Sequence, residues 1–260
     1  MATSGSYWEE VRATGLAVPS DRPLAELTAE LTRMLGDPDR EKREGIAVPT
    51  LITWIQRGVY DDLLAGLGDG MAAGLGIGLG ERGTDSVYRR AGSAIVLAGC
   101  LARDNEKQLL PAAKVLEWGD RLATWLLRER DLRQQARAIS HAGDALATLA
   151  RSPHVGPPEL SVILDVVADR VMARTETVFA LVEPDRLAAA AMAVLRRDLI
   201  TLAALEPWLQ RLVFSGDHPN VQSFLRSLYL QLALAPQPPE VRADLILEVI
   251  DGLRATNPGL

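Results

Sequence analysis

Apolar residues recur at intervals of three and four along most of this chain, and this spacing constrains the fold more than any other feature. Leu24, Leu27, Leu31 and Leu35 form one such stripe. Intervals of three and four place side chains on one face of an α-helix, whereas the period-two alternation of half-buried strands does not extend over any useful length. Phe, Tyr and Trp make up only 5% of the residues, which also favours helices over strands. We therefore predict an all-α protein.

Prolines and short polar clusters divide the sequence into about ten to twelve amphipathic segments, each a predicted helix. The predicted helices span residues 7–14, 23–35, 38–57 with a disturbance at Pro49, 60–72, 85–103, 111–129, 132–151, 158–173, 184–197, 199–213 with Pro207 inside, 219–235 and 239–255. Short loops favour antiparallel pairs, and the pairs recur about every 40 residues, near the period of HEAT-like repeats. We predict a single domain over residues 1–260, with helix pairs stacked as a HEAT-like solenoid or superhelix.

Charge and cysteine content limit the classes of partner and compartment. The net charge is −6 and the pI is near 5.2, which disfavours nucleic acid, because binding phosphate backbones normally requires a basic face. Cys100 is the only cysteine, which fits a reducing compartment. The segment Met1–Glu10 lacks the features of a signal peptide, and no apolar run reaches the length of about 18 residues expected of a membrane helix. We expect a cytoplasmic protein that does not bind membranes.

A glycine-rich stretch, residues 66–83, ends in the letters of a dinucleotide-binding fingerprint, Gly78-x-Gly80-x-x-Gly83. That fingerprint requires a strand before the glycines, and the segment before them is predicted to be helical. We interpret the stretch as a loop between helices and expect no cofactor. Either Thr84 or Asp85 can cap the helix that follows.

A polar stripe lies within the predicted helix 132–151. Arg137, His141 and Asp144 follow at spacings of four and three, which places them on one helical face together with Gln134 and Thr148. If the stripe is partly buried, Asp144 can accept a hydrogen bond from His141 and raise its pKa, leaving the other ring nitrogen for a ligand or a proton transfer. If it faces solvent, it is a hydrated helix face. The other two histidines lie in loops without ligand spacing to His141, so we expect no metal site.

Two motifs resemble those of an uncharacterised bacterial family, a domain of unknown function with an all-helical HEAT-like fold. The first is G-T-D-S-V-[FY]-x-R, which opens a helix at residues 83–90. The second is W-x-H-A-x-x-H-x-x-D-x-L, of which His141, Asp144 and Leu146 are kept. The resemblance covers approximately residues 25–215.

The second motif is only half kept. Gln135 stands where the family has tryptophan, and Arg137 stands where it has the first histidine. This loss counts against a metal site or a two-histidine mechanism. The helices predicted over residues 216–260 extend the chain beyond the resemblance.

The resemblance implies that the two motifs meet on one surface. We expect helices 85–103 and 132–151 to be neighbours, with Asp85, Arg90 and Arg137 as ligand-binding residues in a polar groove. In that groove His141 would act as donor or general base, oriented by Asp144.

Three functional classes follow from this interpretation. The favoured one is a helical binding or scaffold protein that presents the groove to a peptide, protein or small molecule. An enzyme using the same groove, such as an acid–base or cyclase-like tailoring catalyst, stays open. A nucleic-acid reader is the least favoured, because it requires a continuous basic face on an acidic chain.

Overall fold

The computed structural model describes residues 4–179, 182–216 and 218–257, and these residues contain twelve α-helices and no strand. The helices are α1 (Ser4–Ala13), α2 (Leu24–Met34), α3 (Val48–Gln56), α4 (Leu64–Gly74), α5 (Ser86–Lys107), α6 (Ala112–Arg128), α7 (Ala138–Ala150), α8 (Pro157–Met172), α9 (Val182–Leu195), α10 (Leu202–Val213), α11 (Pro219–Leu234) and α12 (Arg242–Thr256). The predicted fold class is confirmed.

From α3 onward the helices form two layers. In the odd layer, α3, α5, α7, α9 and α11 pack side by side; in the even layer, α4, α6, α8, α10 and α12 do the same. Helices that are consecutive in the sequence, such as α4 with α5 and α6 with α7, pack across the layers. The predicted stacking of helix pairs is therefore observed, whereas the HEAT-like character of the family stays a prediction.

The core lies between the two layers and is lined by leucine, valine and alanine. Five tryptophans are buried in it or at its edge: Trp8, Trp54, Trp118, Trp125 and Trp208. Cys100 is also fully buried, and burial raises the pKa of its thiol. In the described part of the chain, no helix combines the length and the apolar character needed to cross a membrane.

The glycine-rich stretch is only partly a loop. Its first half belongs to α4, where Gly68 lies so close to α6 that a Cβ atom there would come within 2.1 Å of the Trp118 ring. The loop interpretation was wrong for this half, where the helix predicted over 60–72 is found instead, because glycine here serves close helix packing. The second half forms turns, in which Gly83 has a φ of +77°.

The third predicted helix is divided near Pro49, as expected. Residues Glu41–Ala47 form a π-helical segment that runs directly into α3. Pro49 lies in the first turn of α3, directly after the π-helical segment, and it cannot donate a backbone hydrogen bond to that segment because it lacks an N–H group. The π-helical segment contributes Arg43 and Glu44 to a crevice that His141 also lines.

Candidate functional site

The first motif is anchored in a buried polar cluster, the Glu129 cluster, formed by Arg90, Glu129, Asp131 and Arg170. Arg90 has no exposed surface, and its Nε and Nη2 atoms donate to the Glu129 carboxylate at 2.6 and 2.8 Å. The same carboxylate accepts from the Asp131 backbone amide at 3.0 Å. Arg170 donates to the Glu129 carbonyl at 3.0 Å. The buried charges of Arg90 and Glu129 thus satisfy each other, whereas Arg170 bonds only to a backbone carbonyl and its Nε has no hydrogen-bond partner among the described residues.

The Glu129 cluster also holds the glycine turns against the start of α5. The Gly83 amide donates to the Asp131 carboxylate at 2.9 Å, and Arg90 Nη1 donates to the carbonyls of Ile77 and Gly78 at 2.9 Å each. Burial alone would raise the pKa of Asp131, but hydrogen bonds from Arg133 and from the Gly83 amide hold it below its usual value. Gly83 and Arg90 of the first motif therefore hold the glycine turns against the start of α5.

Asp85 stands at the N-cap position of α5 but its exposed side chain makes no capping hydrogen bond. The Thr84 hydroxyl bonds to Glu81 at 2.8 Å and to Ser86 at 2.7 Å instead. The capping prediction was wrong for both residues; the Thr84 hydroxyl is instead bonded to Glu81 in the preceding turn and to Ser86.

The helix predicted over residues 132–151 begins at Ala138. Arg137 adopts a left-handed backbone with φ of +50°, so Arg137 and Gln134 do not share the helical face of His141. The carboxylates of Glu129 and Asp131 each accept from a backbone amide two residues ahead. These local bonds compete with helix formation, which explains why the segment stays non-helical despite its apolar spacing.

His141 faces a crevice between α5 and α7 that also contains Tyr88 and Glu44 and measures about 30 Å³, room for one water molecule. Burial lowers the pKa of His141 to about 4, and the charge of Arg137 acts in the same direction. The ring is therefore neutral at pH 7, and the expectation that Asp144 raises this pKa was wrong.

Asp144 faces a different space. Its carboxylate accepts from Arg186 Nη1 on α9 at 3.2 Å, and both side chains are about half exposed. Burial raises the pKa of Asp144, against the lowering effect of Arg186. The helices α5 and α7 are neighbours as predicted, but His141 and Asp144 line separate cavities.

The cavity at Asp144 is a groove across α7, α9 and α11 with a volume of about 410 Å³. We call it the arginine groove. Its polar lining consists of Asp144, Thr148, Arg151, Arg186, Arg196, Arg197 and Gln231, and three alanines complete it: Ala147, Ala189 and Ala193. Asp144 is the one lining residue among the predicted site residues.

The groove arginines were missed by sequence reasoning, although a signal was present. Asp144 and Arg151 lie seven positions apart, and so do Ala189 and Arg196, an interval that returns to the same face of a helix. The end of α7 and the end of α9 therefore present arginines on one side of the odd layer. Locating the groove required knowing which helices are neighbours.

Asp85 and Arg90 line neither cavity. Asp85 is exposed at the start of α5, and Arg90 is enclosed in the Glu129 cluster. Their ligand-binding role, that of Arg137 and the catalytic role of His141 stay predictions. No group of three or more His, Cys, Asp or Glu residues in the described ranges could hold a metal ion.

Fold and site together define an all-α protein of stacked helix pairs with a polar groove on one layer. Residues 75–230 match the model of the family "Protein of unknown function (DUF2785)", which covers more than half of the 260 residues. The chain belongs to this family. The matched region contains every groove residue except Gln231. No curated protein and no solved structure matched the chain.

Proposed function

We propose that this protein is a binding protein that holds a small molecule in the arginine groove. The observation that carries the proposal is the groove itself, a space of about 410 Å³ lined by polar side chains from three consecutive helices of the odd layer. Sites for small molecules typically measure about 300–1,000 Å³ and combine an apolar lining with a few polar groups for orientation. The groove has this size, and its mostly polar lining suits a polar ligand.

Binding is favoured over catalysis by the placement of the titratable groups. A general base needs a pKa near the working pH, whereas the pKa of His141 is about 4. Its proposed partner Asp144 is engaged by Arg186 on α9. The groove requires no catalytic pair to bind a ligand.

The proposal is tested by filling the groove. Ala189 lines it and is partly exposed, so Ala189→Phe introduces a ring where the ligand would lie. Ala113→Phe, at an exposed position in α6, is the matched control. Native mass spectrometry of the purified proteins and thermal-shift screening against a metabolite panel identify ligands.

We expect wild type and Ala113→Phe to bind the same molecule, and Ala189→Phe to bind it at least about tenfold more weakly. If every ligand found in the panel binds wild type and Ala189→Phe with equal affinity, the proposal is contradicted.

A further inference from the structure

We infer that the arginine groove recognises the phosphate group of a phosphorylated small molecule. This inference rests on the proposed function and adds the chemical class of the ligand. It is drawn from the charge of the groove, from the state of its guanidinium groups and from its extent.

The groove concentrates positive charge on an acidic protein. Four arginines and one carboxylate, Asp144, line it, while the whole chain carries a net charge of −6. Among the described residues, Asp144 at 3.2 Å from Arg186 is the only carboxylate within 4.0 Å of any of these four guanidinium groups. An excess of about three positive charges is thus left for an anion.

The guanidinium groups are oriented but not saturated. Arg151 donates through Nη2 to the Thr148 hydroxyl at 3.2 Å, Arg196 through Nε to the Gln237 carbonyl at 3.0 Å, and Arg197 through Nη1 to two carbonyls at the end of α7. Each guanidinium has five N–H donors. Every one of these arginines therefore keeps donors for a ligand while its side chain is held in place.

The arrangement suits phosphate better than a carboxylate. Arginines approach from the ends of two different helices, α7 and α9, and a tetrahedral phosphate presents three acceptor oxygens in different directions. A carboxylate is planar, and one arginine can satisfy both of its oxygens with two parallel N–H donors. The alanines Ala147, Ala189 and Ala193 leave room for the organic part of the ligand.

The basic surface is too short for a nucleic-acid duplex. Beyond Asp144 the odd layer continues into the crevice lined by Glu44, Tyr88, Ile95 and His141. This crevice contributes only one further arginine, Arg43, and the Glu44 carboxylate lies beside that arginine. Duplex binding requires a series of phosphate contacts along the backbone. A small phosphorylated molecule requires only the groove.

Calorimetric titration of pyrophosphate at constant ionic strength tests the inference on the full chain. The groove variants are Arg151→Gln and Arg196→Gln, both at exposed side chains. The control is Arg211→Gln, which removes the same charge from an exposed arginine of α10 paired with Asp165 and Asp169. Circular dichroism verifies that each variant is folded.

We expect saturable binding to wild type and Arg211→Gln, and affinity about tenfold or more lower in both groove variants, because a charge-assisted bond is lost. Equal affinity in all variants would overturn the inference, as would binding of malonate but not pyrophosphate. So would binding only of a phosphopeptide, or only of duplex DNA with a steep salt dependence.

Failure of this inference can be told apart from failure of the proposed function. If pyrophosphate does not bind but Ala189→Phe still loses a ligand found by mass spectrometry, the phosphate assignment is wrong and the groove remains a binding site. If neither result is obtained, both are wrong.

Discussion

Arg90 illustrates how a charged residue of a motif can belong to the core. Its side chain has no exposed surface, and its guanidinium is shared between Glu129 and the turn carbonyls of Ile77 and Gly78. Glu129 in turn accepts from Trp125 Nε1 at 2.8 Å. A carboxylate with this many donors around it cannot be replaced by a neutral group without leaving a buried charge unpaired.

Glu129→Gln should therefore lower the free energy of unfolding by about 3–5 kcal/mol, because the buried Arg90 charge loses its counterion. Urea denaturation followed by circular dichroism measures this. Glu117→Gln is the control: Glu117 is half exposed and pairs with Lys114 at the surface, so its unfolding midpoint should stay close to that of wild type. Equal stability of Glu129→Gln and Glu117→Gln would show that the cluster contributes little to folding.

At the scale of elements, α7 and α9 form the closest helix contact that shapes the groove. A Cβ atom at Gly143 would lie 2.7 Å from the backbone carbonyl of Arg186. A backbone group cannot move aside as a side chain can. Gly143 therefore sets the separation of the two helices, and with it the position of Arg186 relative to Asp144.

Gly143→Ala should destabilise the protein by about 1–3 kcal/mol, the usual cost of overpacking. Gly70→Ala is the control, because Gly70 lies in α4 with nothing within 4 Å of its Cβ position; it should gain about 0.5–1 kcal/mol from better helix propensity. Chemical denaturation of both variants measures the difference. If Gly143→Ala and Gly70→Ala are both stabilised, Gly143 does not set the separation of α7 and α9.

The elements show what the sequence can and cannot predict. The spacing of apolar residues and the positions of the prolines predict both ends of α2, α6 and α11 to within two residues. They can do so because amphipathic periodicity is a local property of the sequence. The start of α7 was misplaced, since the bonds of Glu129 and Asp131 keep the preceding segment non-helical. The Arg90–Glu129 pair and the groove join residues about 40 positions apart, and no local pattern reveals such pairs.

At the scale of the whole molecule, the Glu129 cluster and the arginine groove are two polar groups with different surroundings. The Glu129 cluster is enclosed, its Arg90–Glu129 pair is fully hydrogen-bonded, and it ties the start of α5 to the segment before α7. The arginine groove lies open on the odd layer with donors to spare. Because unsatisfied donors on an open surface are available to a ligand whereas enclosed ones are not, we assign structure to the Glu129 cluster and binding to the groove.

Amide hydrogen exchange on the full chain, with and without saturating pyrophosphate, tests this division most directly, since ligand contacts slow local opening. We expect added protection at the ends of α7 and α9, residues 144–152 and 189–198, and unchanged exchange at residues 77–90 and 129–131. Protection concentrated at residues 77–90 and 129–131, with the ends of α7 and α9 unchanged, would contradict the account.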